Sequence, residues 1–118
     1  MKYALILSLG LAFAGTIASA HAHLIAEVPT NNAVVTVAPT ALQLSFSEGV
    51  ALKFTGVKIV GPNKAVVATS AGSLDPNDDT KLTVPVFGVL TAGVYTVDWH
   101  ALSTDGHKTH GRYTFTVH

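Results

Sequence analysis

The chain has 118 residues, with seven basic and seven acidic side chains, six histidines and no cysteine. That balance leaves no basic stripe for a nucleic acid. The missing thiols exclude disulfides, thiolate catalysis and cysteine-held metal, so a packed core must carry stability unaided.

Residues 1–20 read as a secretory signal peptide. Lys2 is their only charge, the run from Tyr3 to Ile17 is largely apolar, and Ala18-Ser19-Ala20 places small residues before a cut. The stretch is too short for a membrane anchor, and no basic stop-transfer cluster follows it. A second frame, Ala20-His21-Ala22, would move the cut to His23. The first frame leaves residues 21–118 as one small domain, with six basic side chains against seven acidic once Lys2 is gone. Met1 is the single methionine, so the processed chain has no soft sulfur for Cu(I). No later segment is long and apolar enough to span a bilayer.

A cut after Ala20 makes His21 the first residue. It then offers a metal its α-amine and its imidazole, which close a chelate ring. His23 adds a rival: a chain beginning His-Ala-His can wrap Cu(II) with amine, two backbone amides and the third residue's imidazole, with no fold required.

Beyond the leader the pattern alternates with period two, which predicts strands. Leu42, Leu44 and Phe46 form one inward row, and Val57 and Ile59 flank Lys58. A turn at Pro62-Asn63 leads into the Lys64–Thr69 run. Glu48 continues the Leu42 row, where an unpaired carboxylate is costly. Either the strand ends or bulges at Ser47-Glu48-Gly49, or Glu48 orients a ligand histidine or binds the amine. The polar stretch from Gly72 to Thr80 reads as a loop. Leu82, Val84 and Val86 alternate again. Tyr95, Val97, Trp99 and Ala101 face one way, with Thr96, Asp98 and His100 opposite; Tyr113, Phe115 and Val117 form the last inward row.

About seven short strands of this kind predict an all-β, two-sheet antiparallel sandwich. The segment Leu90-Thr-Ala-Gly93-Val-Tyr95 resembles the tyrosine corner of immunoglobulin-like folds, with Trp99 as a core anchor.

Asp105-Gly106-His107 supplies a carboxylate and an imidazole in the polar turn Ser103–Lys108. Alternate residues of an extended turn point the same way, so both side chains can reach one ion. By itself the pair also reads as a turn in which Asp105 accepts backbone N–H bonds. Joined to an N-terminal histidine it gives three nitrogens and one oxygen, a set suited to Cu(II). His110 is an accessory donor at most, His100 an exposed neighbour of Asp98, and His118 a solvated terminus.

Taken together, several motifs resemble the CopC family of periplasmic copper-resistance proteins. They are the His21-Ala-His23-Leu start, Pro29, Leu44-Ser-Phe46-Ser-Glu48-Gly49, and Leu90-Thr-Ala-Gly93-Val-Tyr95-Thr-Val-Asp-Trp99. Ser103-Thr-Asp105-Gly-His107 and Gly111-Arg-Tyr113-Thr-Phe115-Thr-Val117 complete the match. The resemblance implies a Greek-key β-sandwich holding Cu(II) through the amine and imidazole of His21, the carboxylate of Asp105 and the imidazole of His107. Glu48 takes the place of a nearby acidic residue. It implies a periplasmic protein working with a separate CopD-like inner-membrane protein. The donor set reads as that of a non-enzymatic Cu(II) carrier or buffer, and a buried Trp99 with near-neutral charge is compatible with a monomer. The methionine-rich Cu(I) site of some relatives has no counterpart here. Two other readings stand beside it: an immunoglobulin-like adhesion module with incidental histidines, and an oxidative copper enzyme of the kind built on an N-terminal histidine.

Overall fold

Alternation decides which side of each strand is buried, and the structure, a computed structural model, follows the alternation closely. It describes residues 21–118; the leader read over residues 1–20 lies outside the described residues. The strands are β1 (Leu24–Val28), β2 (Ala33–Val35), β3 (Ala41–Phe46), β4 (Gly56–Val60) and β5 (Val66–Val67). β6 (Ser73–Asp75), β7 (Asp78–Pro85), β8 (Gly93–Leu102) and β9 (Lys108–Val117) follow. Single 3-10 turns at Leu52–Phe54 and Pro62–Lys64 interrupt the series. No helix among the described residues is long and apolar enough to cross a membrane.

The strands form a four-stranded sheet, β1-β3-β7-β6, and a five-stranded sheet, β2-β9-β8-β4-β5. Neighbours run antiparallel except β2, which lies parallel to the end of β9. The all-β sandwich expected from the sequence is present, with nine strands among the described residues rather than about seven. The surplus comes from β2 and β6, which are three residues long and too short to show a period.

Between the sheets, Leu42, Leu44, Phe46, Leu82 and Val84 face Ile59, Tyr95, Val97, Trp99, Ala101, Tyr113, Phe115 and Val117, all buried. Phe46 and Trp99 meet edge-on across the sandwich at 5.5 Å. Tyr95 stacks on Phe115 at 5.4 Å. Burying one large apolar side chain contributes about 1.5–3 kcal/mol. A native disulfide in a small secreted domain is worth roughly 2–5 kcal/mol. Two of these contacts therefore offset the missing covalent link. The tyrosine corner is present: the Tyr95 hydroxyl donates to the Thr91 carbonyl at 2.7 Å.

The stretch Gly72–Thr80 differs from the expected loop. It is a hairpin, β6 turning into β7 through Pro76-Asn77. The Asp75 carboxylate accepts the Asn77 N–H at 2.8 Å. The Asp78 carboxylate accepts the N–H and the hydroxyl of Thr80 at 3.0 and 2.5 Å. β6 lies at a sheet edge with only Leu74 partly covered, so its polar composition hides the alternation.

Candidate metal site

The strand pairing that makes the sandwich also carries the start of the described chain to the end of β8. β1 pairs with β3, Leu24 opposite Phe46, and the ladder extends one step: the Ser47 N–H donates to the His23 carbonyl at 2.8 Å. The Ser47 hydroxyl accepts the His23 N–H at 2.9 Å and donates to the His21 carbonyl at 3.2 Å. Ala22 is fully buried, and its carbonyl accepts the Thr109 hydroxyl at 2.7 Å. His21 is thus fixed from both sides, by β3 and by β9.

The β8–β9 hairpin turn is built around one buried hydroxyl. Ser103 is 2% exposed. Its Oγ donates to Asp105 Oδ1 and accepts the His107 N–H at 3.1 Å. The Gly106 N–H closes the turn onto the Ser103 carbonyl at 2.8 Å. Gly106 has φ +95 with open space where a Cβ would lie, so glycine is required there for backbone freedom and not for clearance. The Thr104 N–H donates to the Gly49 carbonyl at 3.0 Å, tying the turn to the chain leaving β3.

These two constructions bring His21 and His107 together, with ring centres 4.7 Å apart. Asp105 Oδ1 lies 3.1 Å from His107 Nδ1. A carboxylate on one imidazole nitrogen fixes the ring and leaves the other nitrogen to face a metal. For Asp105 to bind the same ion, its carboxylate must leave His107 Nδ1. The Ser103 hydrogen bond holds the Asp105 carboxyl below the ordinary carboxylate range, with a smaller downward contribution from His107 and a partly opposing one from burial. Ionised Asp105 is therefore the favoured form.

The fit to a metal is incomplete in two respects. Among the described residues no three histidine or acidic side chains stand together in metal-holding geometry. The expected donor set includes a backbone nitrogen, and in the full chain that nitrogen is an amide joined to Ala20. An amide N–H is a poor donor until it loses its proton, whereas a free amine carries a lone pair. The amine can therefore join the set only in a chain that begins at His21, and the His21, Asp105 and His107 side chains must still move to share one ion.

Glu48 is exposed, because β3 ends at Phe46 and the inward row stops there. Of the two sequence readings the structure has the strand ending, with Glu48 just past Ser47. The His23 ring lies 6.1 Å from that of His21. Its backbone N–H is already given to Ser47, so wrapping a metal with the first three residues requires pulling this segment off the sandwich. His100 and His118 are exposed. His110 is exposed too, and it sits directly opposite His100 across the β8–β9 ladder. Sequence reasoning missed that pairing, and it missed Ser103. Counting outward from Asp105, the midpoint of the turn, gives the register of the first; the second is a buried serine two residues ahead of the acid.

A model of the CopC domain matches residues 24–118. The chain belongs to the CopC family. It is similar to protein YobA of Escherichia coli K12, 50% identical over 98 residues that cover 83% of this chain and 79% of that protein. It is also similar to copper resistance protein C of Escherichia coli, 38% identical over 94% of this chain and 90% of the relative. Among solved structures, PcoC, a methionine-rich copper resistance protein from Escherichia coli, superposes with a TM-score of 0.73 at 36% identity. That match covers 83% of this chain and 99% of PcoC. This CopC-family chain has Met1 alone in place of a methionine-rich composition.

Proposed function

We propose that the chain is exported to the periplasm, loses residues 1–20, and carries or buffers Cu(II) without catalytic turnover. The metal is held by the amine and imidazole of His21, the carboxylate of Asp105 and the imidazole of His107, with Glu48 as a neighbouring acid. The single observation behind this reading is the 4.7 Å approach of the His21 and His107 rings. Two imidazoles, an amine and a carboxylate favour Cu(II), which tops the divalent series and prefers N and O donors in a square arrangement. Soft capture of Cu(I) has no sulfur to use.

Leader removal is the loading switch in this scheme, since it converts an amide into a chelating amine. Metal and protons compete for the same nitrogens, so binding releases protons. A site whose His21, Asp105 and His107 are all exposed suits a protein that passes its ion on. The receiver is a separate CopD-like inner-membrane protein, and the carrier works as a monomer.

Intact mass of the exported protein, followed by Cu(II) titration with spin resonance on wild type, His107→Ala and His23→Ala, tests this. Loss of the spectrum in His107→Ala and its retention in His23→Ala supports the folded site. The reverse outcome gives the metal to the unfolded terminus. Oxygen consumption in the presence of a reductant, above that of free copper, would turn the carrier into an oxidative enzyme. An immunoglobulin-like adhesion module would bind copper equally with and without His107.

A further inference from the structure

A second pair of histidines stands on the outer face of the five-stranded sheet. His100 and His110 are direct partners in the antiparallel β8–β9 ladder. Side chains at such positions leave the sheet on the same side, with Cβ atoms about 4.5–5.5 Å apart. Both residues are exposed, and both line a hollow of about 420 Å³ together with Lys53, Phe54 and Lys108. On the far side of His100, β4 presents Gly56. The His100 ring leans into the space left there, its Cε1 3.4 Å from where a Cβ would be. Room on that side gives the ring two resting places, over Gly56 or over His110.

We propose that His100 and His110 form a second metal site, one that takes an imidazole-preferring divalent cation, Cu(II) or Zn(II), through one nitrogen of each ring. A turn of the His100 side chain away from Gly56 closes it, and water completes the coordination. The rigid ladder sets the spacing, so little ordering is lost on binding. The donor type decides the cation: no carboxylate lines the hollow, which excludes the oxygen-seeking Ca(II) and Mg(II). Asp98, next on the same face of β8, is held by Arg112 at 2.6 Å and stays out of the site. The ammonium groups of Lys53 and Lys108 oppose any cation, so this site is weaker than one with an anionic ligand. It does not depend on the N-terminal amine.

The test is an NMR titration of the exported protein with Zn(II), reading the imidazole signals of His100 and His110. It is run in a His107→Ala background, so that the result stands apart from the copper reading above. The expected outcome is that both rings shift together with Zn(II) and neither moves with Ca(II). His100→Ala and His110→Ala each weaken that binding by roughly tenfold or more, since losing a donor costs at least what losing a ligand's supporting partner does. Both residues are exposed, and unchanged circular dichroism will show that the variants fold. Zn(II) leaving the two rings unmoved overturns the proposal. So does inorganic phosphate shifting them where Zn(II) does not, which would make the hollow an anion pocket of its two lysines.

Discussion

The imidazoles of His21 and His107, from opposite ends of the described chain, stand 4.7 Å apart centre to centre. Neither residue reaches the other by local geometry. β1–β3 pairing delivers the first, through Ser47, and the β8–β9 turn delivers the second, through Ser103. The sandwich acts as a spacer that converts a long sequence separation into a contact between two imidazoles.

Ser103 is the residue on which that turn depends. Ser103→Ala removes the hydroxyl that orients Asp105 and receives the His107 N–H. The expected effect is a loss of roughly 10–100-fold in Cu(II) affinity, the usual cost of removing a partner that orients a ligand. A competition titration against a chromophoric chelator measures it. Unchanged affinity would mean that Asp105 and His107 hold their places without Ser103.

The His-Ala-His terminus should stay unwrapped at one equivalent of copper as long as its segment is docked. Thr109→Val removes the bond to the Ala22 carbonyl, worth about 0.5–1.5 kcal/mol. That change shifts the balance toward the wrapped form, seen as a change in the visible spectrum that His23→Ala abolishes. An identical spectrum in Thr109→Val and wild type would show that docking does not control the competition.

Much of this was legible in the sequence, for physical reasons that differ by residue. The rows of β3, β8 and β9 were readable because each has one buried face, which writes a period of two. Tyr95 was readable from its corner motif. The hairpin at Ser73–Asp78 was not, because an edge strand buries almost nothing and so writes no period. Glu48 lay open between two readings because the end of β3 is set by where the chain must turn toward Gly49 and Val50, not by its own side chain. Asp105 and His107 were visible as a pair, but Ser103 looked like any turn serine until its burial was seen.

Two tyrosines predict opposite responses to loss of a hydroxyl. Tyr95 donates to the Thr91 carbonyl, so Tyr95→Phe costs about 1 kcal/mol. The buried Tyr113 hydroxyl has no partner among the described residues. Burial, with a smaller contribution from Glu27, raises its pKa far above the ordinary range and keeps it neutral. Removing a buried hydroxyl that lacks a partner should leave stability unchanged or raise it by up to about 1 kcal/mol. For a domain of this size 1 kcal/mol moves Tm by roughly 4–8 °C. A falling Tm for Tyr113→Phe would mean that the hydroxyl is satisfied.

Asp78 gives the β6–β7 hairpin a dependence on pH. Its carboxyl is held below the ordinary value chiefly by the Thr80 hydroxyl, then by the Thr80 N–H, with Lys81 adding a small contribution. A depressed folded value means the stabilisation is present above the unfolded pKa, about 3.9, and is lost as pH falls through the folded one. Thr80→Val should raise the Asp78 titration midpoint and weaken that acid dependence. Carboxyl NMR titration reads it directly, and an unmoved midpoint would assign the depression to another group.

The central claim is that copper is held by an amine which exists only when His21 comes first. The direct measurement is Cu(II) spin resonance on the chain beginning at His21, beside the same chain with one added glycine ahead of it. The account predicts coupling to three nitrogens in the first and loss of that species in the second. The same spectrum from both chains would contradict it.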